Sequence, residues 1–400
     1  MDAEKLIEFV REHADEDPVK LLLQKKKYPD VDMTQVAQQM EGVMQASTKW
    51  PTLAHCHCFL FPPRLNREQS SSEATAIYKR DTIMQLYSGS SKQLTIADLT
   101  GGMGIDSMAF ASNKTIQVDY VEQDSALCRL MEHNCKALDI TNVDIHCGDS
   151  MEWLAGKKQP FNIIFIDPAR RDTQGRKVSA FEACTPNIIA HKELLKSSCE
   201  TLIVKASPMI DIELGASQLG DVSDVHIIEV NGECKEILFI CDLRQEQEGY
   251  RIHCAEIADG KEKSISYTRS KESQAEAIYC TKTKQYLYEP SPSVMKGGPY
   301  KSICEWYKVE KLARNTHLYT SDELNMDFFG RKFMVISEVA LNKKSIATAI
   351  PDGKAHVVTR NYPVGAAELQ RQLGLKEGGE LFVIATTVGT KKTGLVCKTV

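Results

Sequence analysis

The sequence predicts an α/β chain built around an open, mostly parallel sheet that ends in an antiparallel hairpin. Three observations carry this. From Leu94 onward, short apolar runs of strand character alternate with stretches of helical period. A glycine-rich turn, DLTGGMG, sits where the first of these strands meets the first helix. Finally, VHIIEVNGECKEILFICDL sets two apolar runs around Asn231-Gly232, a strong short-range hairpin signal.

With 400 residues, 42% of them hydrophobic, the chain exceeds one ordinary core and can fill two or three. Residues 1–90 read as a helical region. EKLIEFVREH has helical apolar spacing, and DMTQVAQQMEGVMQAS opens with Asp32 or Thr34 as capping candidates. Pro51, Pro62 and Pro63 break the pattern before EQSSSEATAIYKRDTIMQLY, a loop feeding a further helix. Residues 91–245 hold the alternating part: LTIADLT, a helix from Ile105, QVDYVEQD, a helix through LCRLMEHNCKAL, VDIHCGD, FNIIFIDP, a helical stretch and TLIVKASP. That order predicts parallel strands with crossover helices. Beyond Arg244 a polar, Lys/Glu/Ser-rich text marks a boundary. Shorter elements occupy 250–320, and 321–400 form a compact α+β tail containing GRKFMVISEVA and GGELFVIATTV.

Composition narrows the function classes. A net charge of -5 excludes a protein that coats nucleic acid indiscriminately, although the stretch from Ser321 is mildly basic. The opening MDAEKLIEFV places acids where a signal peptide would be positive, and no apolar run approaches the roughly 18 residues of a membrane span. A cytoplasmic protein without a membrane partner is expected. Thirteen cysteines with no CxxC pair read as reduced thiols. His55-Cys56-His57-Cys58 alternates donors in a spacing unlike structural zinc sites, so packing is expected there and no metal.

At a strand-to-helix junction glycine lets backbone approach a ligand closely, which suggests a nucleotide-like molecule over Gly101, Gly102 and Gly104. A dinucleotide fingerprint would need a third glycine where Ser107 stands. Asp98, just before the turn, would repel a phosphate and favour a cation; S-adenosylmethionine is a cation without phosphate. Glu122, ending the second strand, can accept ribose hydroxyls, and Asp149, after the third, can accept from an adenine amine. Each acid alone reads as a solvated strand end. Together they lie along the edge where parallel sheets bind ligands.

The run Leu94 to Leu243 resembles a class I S-adenosylmethionine-dependent methyltransferase. DLTGGMG resembles its first motif, VEQD its second, GDS its third and DPAR its fourth. The resemblance implies a Rossmann-like seven-stranded sheet with a terminal antiparallel hairpin. It also implies S-adenosylmethionine as cofactor, with contacts at Asp98, Gly102, Gly104, Glu122 and Asp149. Gln69 and Ser71 are expected near the cofactor's amino-acid end, and Thr100 and Asp106, from the same turn and helix start, complete the candidate set. The whole chain is similar to bacterial methyltransferase-like proteins with an N-terminal helical region, a ferredoxin-like domain and a C-terminal THUMP-like domain. EQSSSEATAIYK, YEPSPSVMKGGPY and TRNYPVGAAELQ carry that wider match.

IIFIDPARRD then acquires a chemical reading, because the fourth strand of such a sheet ends beside the transferred methyl. Methyltransferases acting on exocyclic base amines use an acid, Asn or Ser before Pro-Pro and an aromatic residue. Asp167-Pro168 matches the first half; Ala169 and Arg170 depart from the second. Asp167 and the Pro168 carbonyl are expected to orient an acceptor while Arg170 or Arg171 engages a base or phosphate. The competing reading makes Asp167 a helix cap or a partner of those arginines. A pyrimidine-C5 route needs a thiolate; DPAR has none, KASP offers Ser207, and Cys184 is the nearest thiol in sequence. The flanking domains imply structured RNA, transfer or ribosomal, as substrate, with Arg331, Lys332, Lys343, Lys344, Arg360, Arg371 and Tyr362 as candidate contacts. No preference for DNA and no oligomeric state is indicated. The alternative from another class is a noncatalytic RNA-binding or assembly protein on a degenerate methyltransferase fold; a nicotinamide oxidoreductase is disfavoured by the absent glycine and the hairpin.

Overall fold

The computed structural model of the protein describes residues 3–89, 93–170 and 181–400. It divides into two compact units, Met1–Val225 with Lys235–Gly249, and His226–Cys234 with Tyr250–Val400.

The first unit opens with helices α1 (Ala3–Glu12), α2 (Pro18–Leu22), α3 (Met33–Lys49), α4 (Pro51–Ala54), α5 (Arg64–Gln69) and α6 (Glu73–Leu86). Of the two capping candidates for α3 the structure uses Asp32, whose side chain accepts from the Thr34 and Gln35 amides. Leu6 and Val10 of α1 pack on Met33, Val36 and Met40 of α3. The chain after His55-Cys56-His57-Cys58 is clamped by amide side chains. Gln39 bonds the Phe59 carbonyl and the Phe61 amide, and Asn134 bonds both polar groups of Leu60. Phe59 and Phe61 are thereby buried.

The sheet follows with β1 (Leu94–Asp98), β2 (Ile116–Glu122), β3 (Val143–Cys147), β4 (Phe161–Ile166), β5 (Cys199–Ala206), β6 (Asp224–Val230) and β7 (Glu233–Asp242). Its order is β3-β2-β1-β4-β5-β7-β6. The first five strands pair in parallel, and β7 runs antiparallel to β5. Crossovers pass through α7 (Ile105–Ala111), α8 (Ser125–Ala137), α9 (Ser150–Ala155), α10 (Lys192–Ser197) and α11 (Ile212–Leu219). Covered on both faces, β4 and β5 are almost wholly buried, which is why they read as continuous apolar runs. Ile96, Phe110, Val118, Ile163, Phe165, Ile203 and Ile240 form the core. Asn231 and Gly232 turn β6 into β7 with φ of 50° and 80°, the conformation the Asn-Gly pair adopts most readily. This is the expected α/β sheet with its terminal hairpin. Strand order reverses between β1 and β4, so their carboxyl ends open onto the crevice where such sheets hold ligands.

In the second unit β8 (Arg251–Ala258) and β9 (Lys261–Thr268), an antiparallel pair, continue the same sheet beside the later part of β6, so it runs to nine strands rather than the expected seven. The Lys/Glu/Ser-rich text after Arg244 is therefore partly an edge strand; its polarity is that of an exposed sheet edge. After α12 (Arg269–Gln274) come β10 (Tyr286–Pro290), α13 (Pro292–Gly297), α14 (Ser302–Tyr307), β11 (Glu310–Ala313), β12 (Thr316–Ser321), β13 (Gly330–Val339), α15 (Lys343–Ala349), β14 (His356–Thr359), α16 (Ala366–Leu373), β15 (Leu381–Val388) and β16 (Lys391–Thr399). These strands make one sheet in the order β11-β12-β10-β13-β16-β15-β14. Among the described residues no helix is long and apolar enough to cross a membrane.

Gly42 lies in α3 where a Cβ would meet the Phe61 side chain at 2.4 Å. Ordinarily alanine gains ~1 kcal/mol over glycine inside a helix, but overpacking against a clamped Phe61 costs about 1–3 kcal/mol. Gly42→Ala should therefore lower the urea midpoint; an unchanged or raised midpoint would show that the clamp yields.

Candidate functional site

At the end of β1 the Asp98 carboxylate turns inward. It is only 1% exposed, accepting from the Ser107 hydroxyl at 2.6 Å and the Thr100 amide at 3.2 Å. Asp98 thus builds the turn. Gly102 and Gly104 have φ of 53° and 83°, in the left-handed region that favours glycine, and a Cβ on Gly101 would stand 2.2 Å from the Tyr120 ring. The Tyr120 hydroxyl donates to the Gly102 carbonyl at 2.6 Å, pinning the turn to β2. The Gly102 amide donates to Glu122 Oε2 at 2.9 Å, while Glu122 Oε1 accepts from the Asp124 amide at 2.8 Å. Asp149 caps α9 through Oδ1, which accepts from the amides of Met151 and Glu152.

These strand ends enclose a cavity of about 1310 Å³ within the first unit. Among the candidate cofactor residues, Gln69, Ser71, Thr100, Gly102, Gly104, Asp106, Glu122 and Asp149 all line it; buried Asp98 does not. Asp167 and Pro168 line it too. The Asp167 amide donates to Thr100 Oγ1 at 2.6 Å, tying the end of β4 to the glycine turn. Arg170 pairs through its backbone with Cys184 in a two-residue antiparallel ladder. Its side chain, and all of Arg171, lie outside the described residues. Cys184 and Ser207 both reach the cavity wall.

Sequence reasoning missed the charges beneath this cavity. Lys205, at the end of β5, donates to Asp167 Oδ2 at 2.5 Å and to Ser71 Oγ at 3.1 Å. Lys79 of α6 donates to Glu236 Oε1 of β7 at 2.6 Å and to Ser71 Oγ at 2.9 Å, and lies 3.0 Å from Asp106 Oδ1. Ser71 in turn donates to Asp106 Oδ2 at 2.7 Å. Burial alone would neutralise these groups. It pushes against the Lys205 charge, but Asp167, Glu236 and Asp106 outweigh it and hold the ammonium above its ordinary range. Burial likewise opposes the Asp106 charge, yet Lys79, Lys205 and the Ser71 bond bring its carboxyl below the ordinary value. Nearby Lys49 is less compensated, Glu68 and Glu236 opposing the shift only in part. Burial, with repulsion from Lys205 and Lys235, lowers it to about 8. One signal was available: a lysine inside the apolar run TLIVKASP is out of place unless it is paired. Lys79 and Glu236 carried none, since each reads as an ordinary charge on an amphipathic element.

Comparison with known proteins follows the same architecture. Residues 286–328 match the family model of a ferredoxin-like domain, and residues 330–399 that of a THUMP domain-like family. Across 99% of its length the chain is similar to a Porphyromonas gingivalis W83 protein described as a presumed methyltransferase, of which 97% is covered at 28% identity with a TM-score of 0.87. The chain has a methyltransferase-like α/β fold with ferredoxin-like and THUMP-like domains. Two more distant solved structures superpose in part. One is a Listeria monocytogenes protein described as a presumed class I S-adenosylmethionine-dependent methyltransferase (8% identity, 65% of this chain and 93% of that one, TM-score 0.39). The other is a Clostridium thermocellum protein described as a presumed rRNA methylase (12% identity, 41% and 94%, TM-score 0.30). A search among curated proteins finds no match.

Burial pushes the Asp98 carboxyl up to about 7 from 3.8, with Asp106 and Asp167 adding to the shift and the Ser107 and Thr100 bonds opposing it. The folded protein therefore keeps a proton that the unfolded chain releases, and stability falls as pH rises from about 4 through 7. At about 1.36 kcal/mol per unit, wild type should lose on the order of 2 kcal/mol between pH 5 and pH 8 that Asp98→Asn does not lose. Urea unfolding of both proteins at the two pH values measures the difference. Equal losses would contradict a protonated Asp98.

Proposed function

We propose that this protein is an S-adenosylmethionine-dependent methyltransferase acting on an exocyclic amine of a nucleobase in structured RNA, transfer or ribosomal. The observation that carries the reading is one cavity joining the glycine turn, the strand-end acids Glu122 and Asp149, and Asp167. The likeness to the P. gingivalis protein over nearly the whole chain supports it.

The residues fit the cofactor on their own chemistry. A turn without Cβ atoms at Gly102 and Gly104 admits close backbone approach. Glu122 is pre-set by two amide bonds and offers its remaining lone pairs to ribose hydroxyls, while Asp149, fixed as a cap, faces the adenine end. Beneath the amino-acid end, two lysines stand among three carboxylates, an acidic excess that suits a cation. Bound there, S-adenosylmethionine supplies an electrophilic methyl: the N–C bond forms as the S–C bond breaks, its electron pair staying on sulfur. Asp167 accepts a hydrogen bond from the acceptor amine, aligns its lone pair, and receives the proton released afterwards or passes it to solvent. Pro168, buried in the cavity wall, restricts the backbone that carries Asp167.

The RNA part of the reading is supported by the THUMP-like match and by basic chemistry in the second unit. Glu289, buried on β10, accepts from Arg331 Nε at 2.8 Å and from Arg360 Nε at 2.5 Å. Arg331 also donates through Nη2 to Glu289, and Arg360 through Nη1 to the Thr359 carbonyl, so one carboxylate holds two half-exposed guanidinium groups that keep only part of their donors for phosphate.

Calorimetry should detect S-adenosylmethionine binding and no NAD binding, and Glu122→Ala should weaken the former about tenfold or more. Labelled methyl should pass to total RNA from cells lacking the protein. Asp167→Asn and Asp167→Ala should reduce transfer by about 10²- to 10⁴-fold while S-adenosylmethionine still binds. Full transfer by both variants removes Asp167 from the mechanism, and binding without any transfer by wild type favours a noncatalytic RNA-binding protein.

A further inference from the structure

Lys205 is only 8% exposed, yet it borders the cavity beside Asp167. Its three N–H donors can be followed one by one. The first goes to Asp167 Oδ2 and the second to Ser71 Oγ. The third has no hydrogen-bond partner among the described residues. An unmet donor on a buried ammonium is expensive, so the cavity's occupant should meet it.

Around Lys205 most acceptors are taken; Asp106 Oδ1, which has no hydrogen-bond partner among the described residues, stands 3.0 Å from the Lys79 ammonium. Ser71 Oγ accepts from both lysines and donates to Asp106, which uses all its capacity. Lys79 is engaged by Glu236, Ser71 and Asp106. Lys205 is held from behind with one N–H to spare, next to a carboxylate that keeps acceptor capacity on Oδ1. A donor and an acceptor fixed side by side in this way match an edge that presents the opposite pair: an amine N–H adjacent to a lone pair.

We propose that Lys205 is a specificity-determining residue for the acceptor: the Asp167–Lys205 pair recognises an amidine-like base edge, the amine donating to Asp167 and the neighbouring ring nitrogen accepting from Lys205. The inference rests on the methyltransferase reading and narrows its substrate class. Adenine, cytosine and the N2 side of guanine present such an edge. A ribose hydroxyl, a pyrimidine ring carbon and uracil do not. A site with buried groups committed to two hydrogen bonds rejects acceptors that supply only one.

The test uses the full chain with Lys205→Met, which keeps length without charge, and Lys205→Arg, which keeps the charge. S-adenosylmethionine affinity is read by calorimetry, methyl transfer on total RNA from cells lacking the protein, and the product by nucleoside mass spectrometry. Lys205→Arg, which keeps the charge beneath the amino-acid end, should bind S-adenosylmethionine within about threefold of wild type, and transfer by Lys205→Met is compared at saturating S-adenosylmethionine. Lys205→Met should lower kcat/KM for RNA by about 10²-fold, consistent with losing one hydrogen bond to a charged group in a desolvated site. Lys205→Arg should recover part of that loss and carries the comparison if Lys205→Met no longer unfolds cooperatively. The wild-type product should be methylated on an amine adjacent to a ring nitrogen. Methylation of a ribose oxygen or a ring carbon overturns the inference while leaving a methyltransferase in place. So does undiminished RNA transfer by both variants, or a tenfold loss of S-adenosylmethionine affinity at unchanged kcat, which would make Lys205 a cofactor ligand. Wild type that transfers no methyl to RNA fails the functional reading itself, and this inference with it.

Discussion

The Lys205–Asp167 ion pair, with the Ser71 and Lys79 bonds behind it, is the contact on which the cavity depends. Charges taken out of water survive only if every one finds a partner. Here the partners come from α6, the start of α7, the end of β4, β5 and β7, with Lys79 and Glu236 separated by 157 positions in the chain. Leaving one member unpaired costs about 3–5 kcal/mol in a buried site, so the elements around the cavity are held together by a requirement that none can meet alone. The same arrangement leaves more carboxylates than ammonium groups beneath the cavity.

The sheet supplies the place and the glycine turn supplies the room. Because strand order reverses between β1 and β4, the turn after Asp98 and the acid after Ile166 emerge side by side, and the Thr100–Asp167 bond fixes their spacing. The upward shift of Asp98 belongs to the same logic: an acid sealed inside the turn shapes backbone, while Asp106, Glu122, Asp149 and Asp167 line the cavity.

In the second unit the two matched domain stretches are not separate layers. Glu289, Leu287 and Tyr288 of β10 pair directly with β13, so the ferredoxin-like and THUMP-like stretches share one sheet. Hydrogen bonds between them continue the ladder without an edge. This explains how short strands such as β11 and β14 persist: each is the rim of a sheet larger than its own domain could make.

By itself the sequence determined the alternation of strands and helices, the Asn231-Gly232 hairpin, the glycine turn, and the acids at strand ends, because each is a local pattern of period, φ preference or position. It also singled out Asp167-Pro168 as a candidate at a strand end, and the structure places both in the cavity wall. Tertiary structure alone decided which of those acids face the cavity and which, like Asp98, close a turn, since burial is a property of packing. It decided that Lys79, Lys205 and Glu236 converge, for distances across 157 positions leave no trace in local periodicity, and it made the polar stretch after Gly260 an edge strand. Local physics writes elements into the chain; desolvation, which only the folded neighbourhood sets, decides what their charges are for.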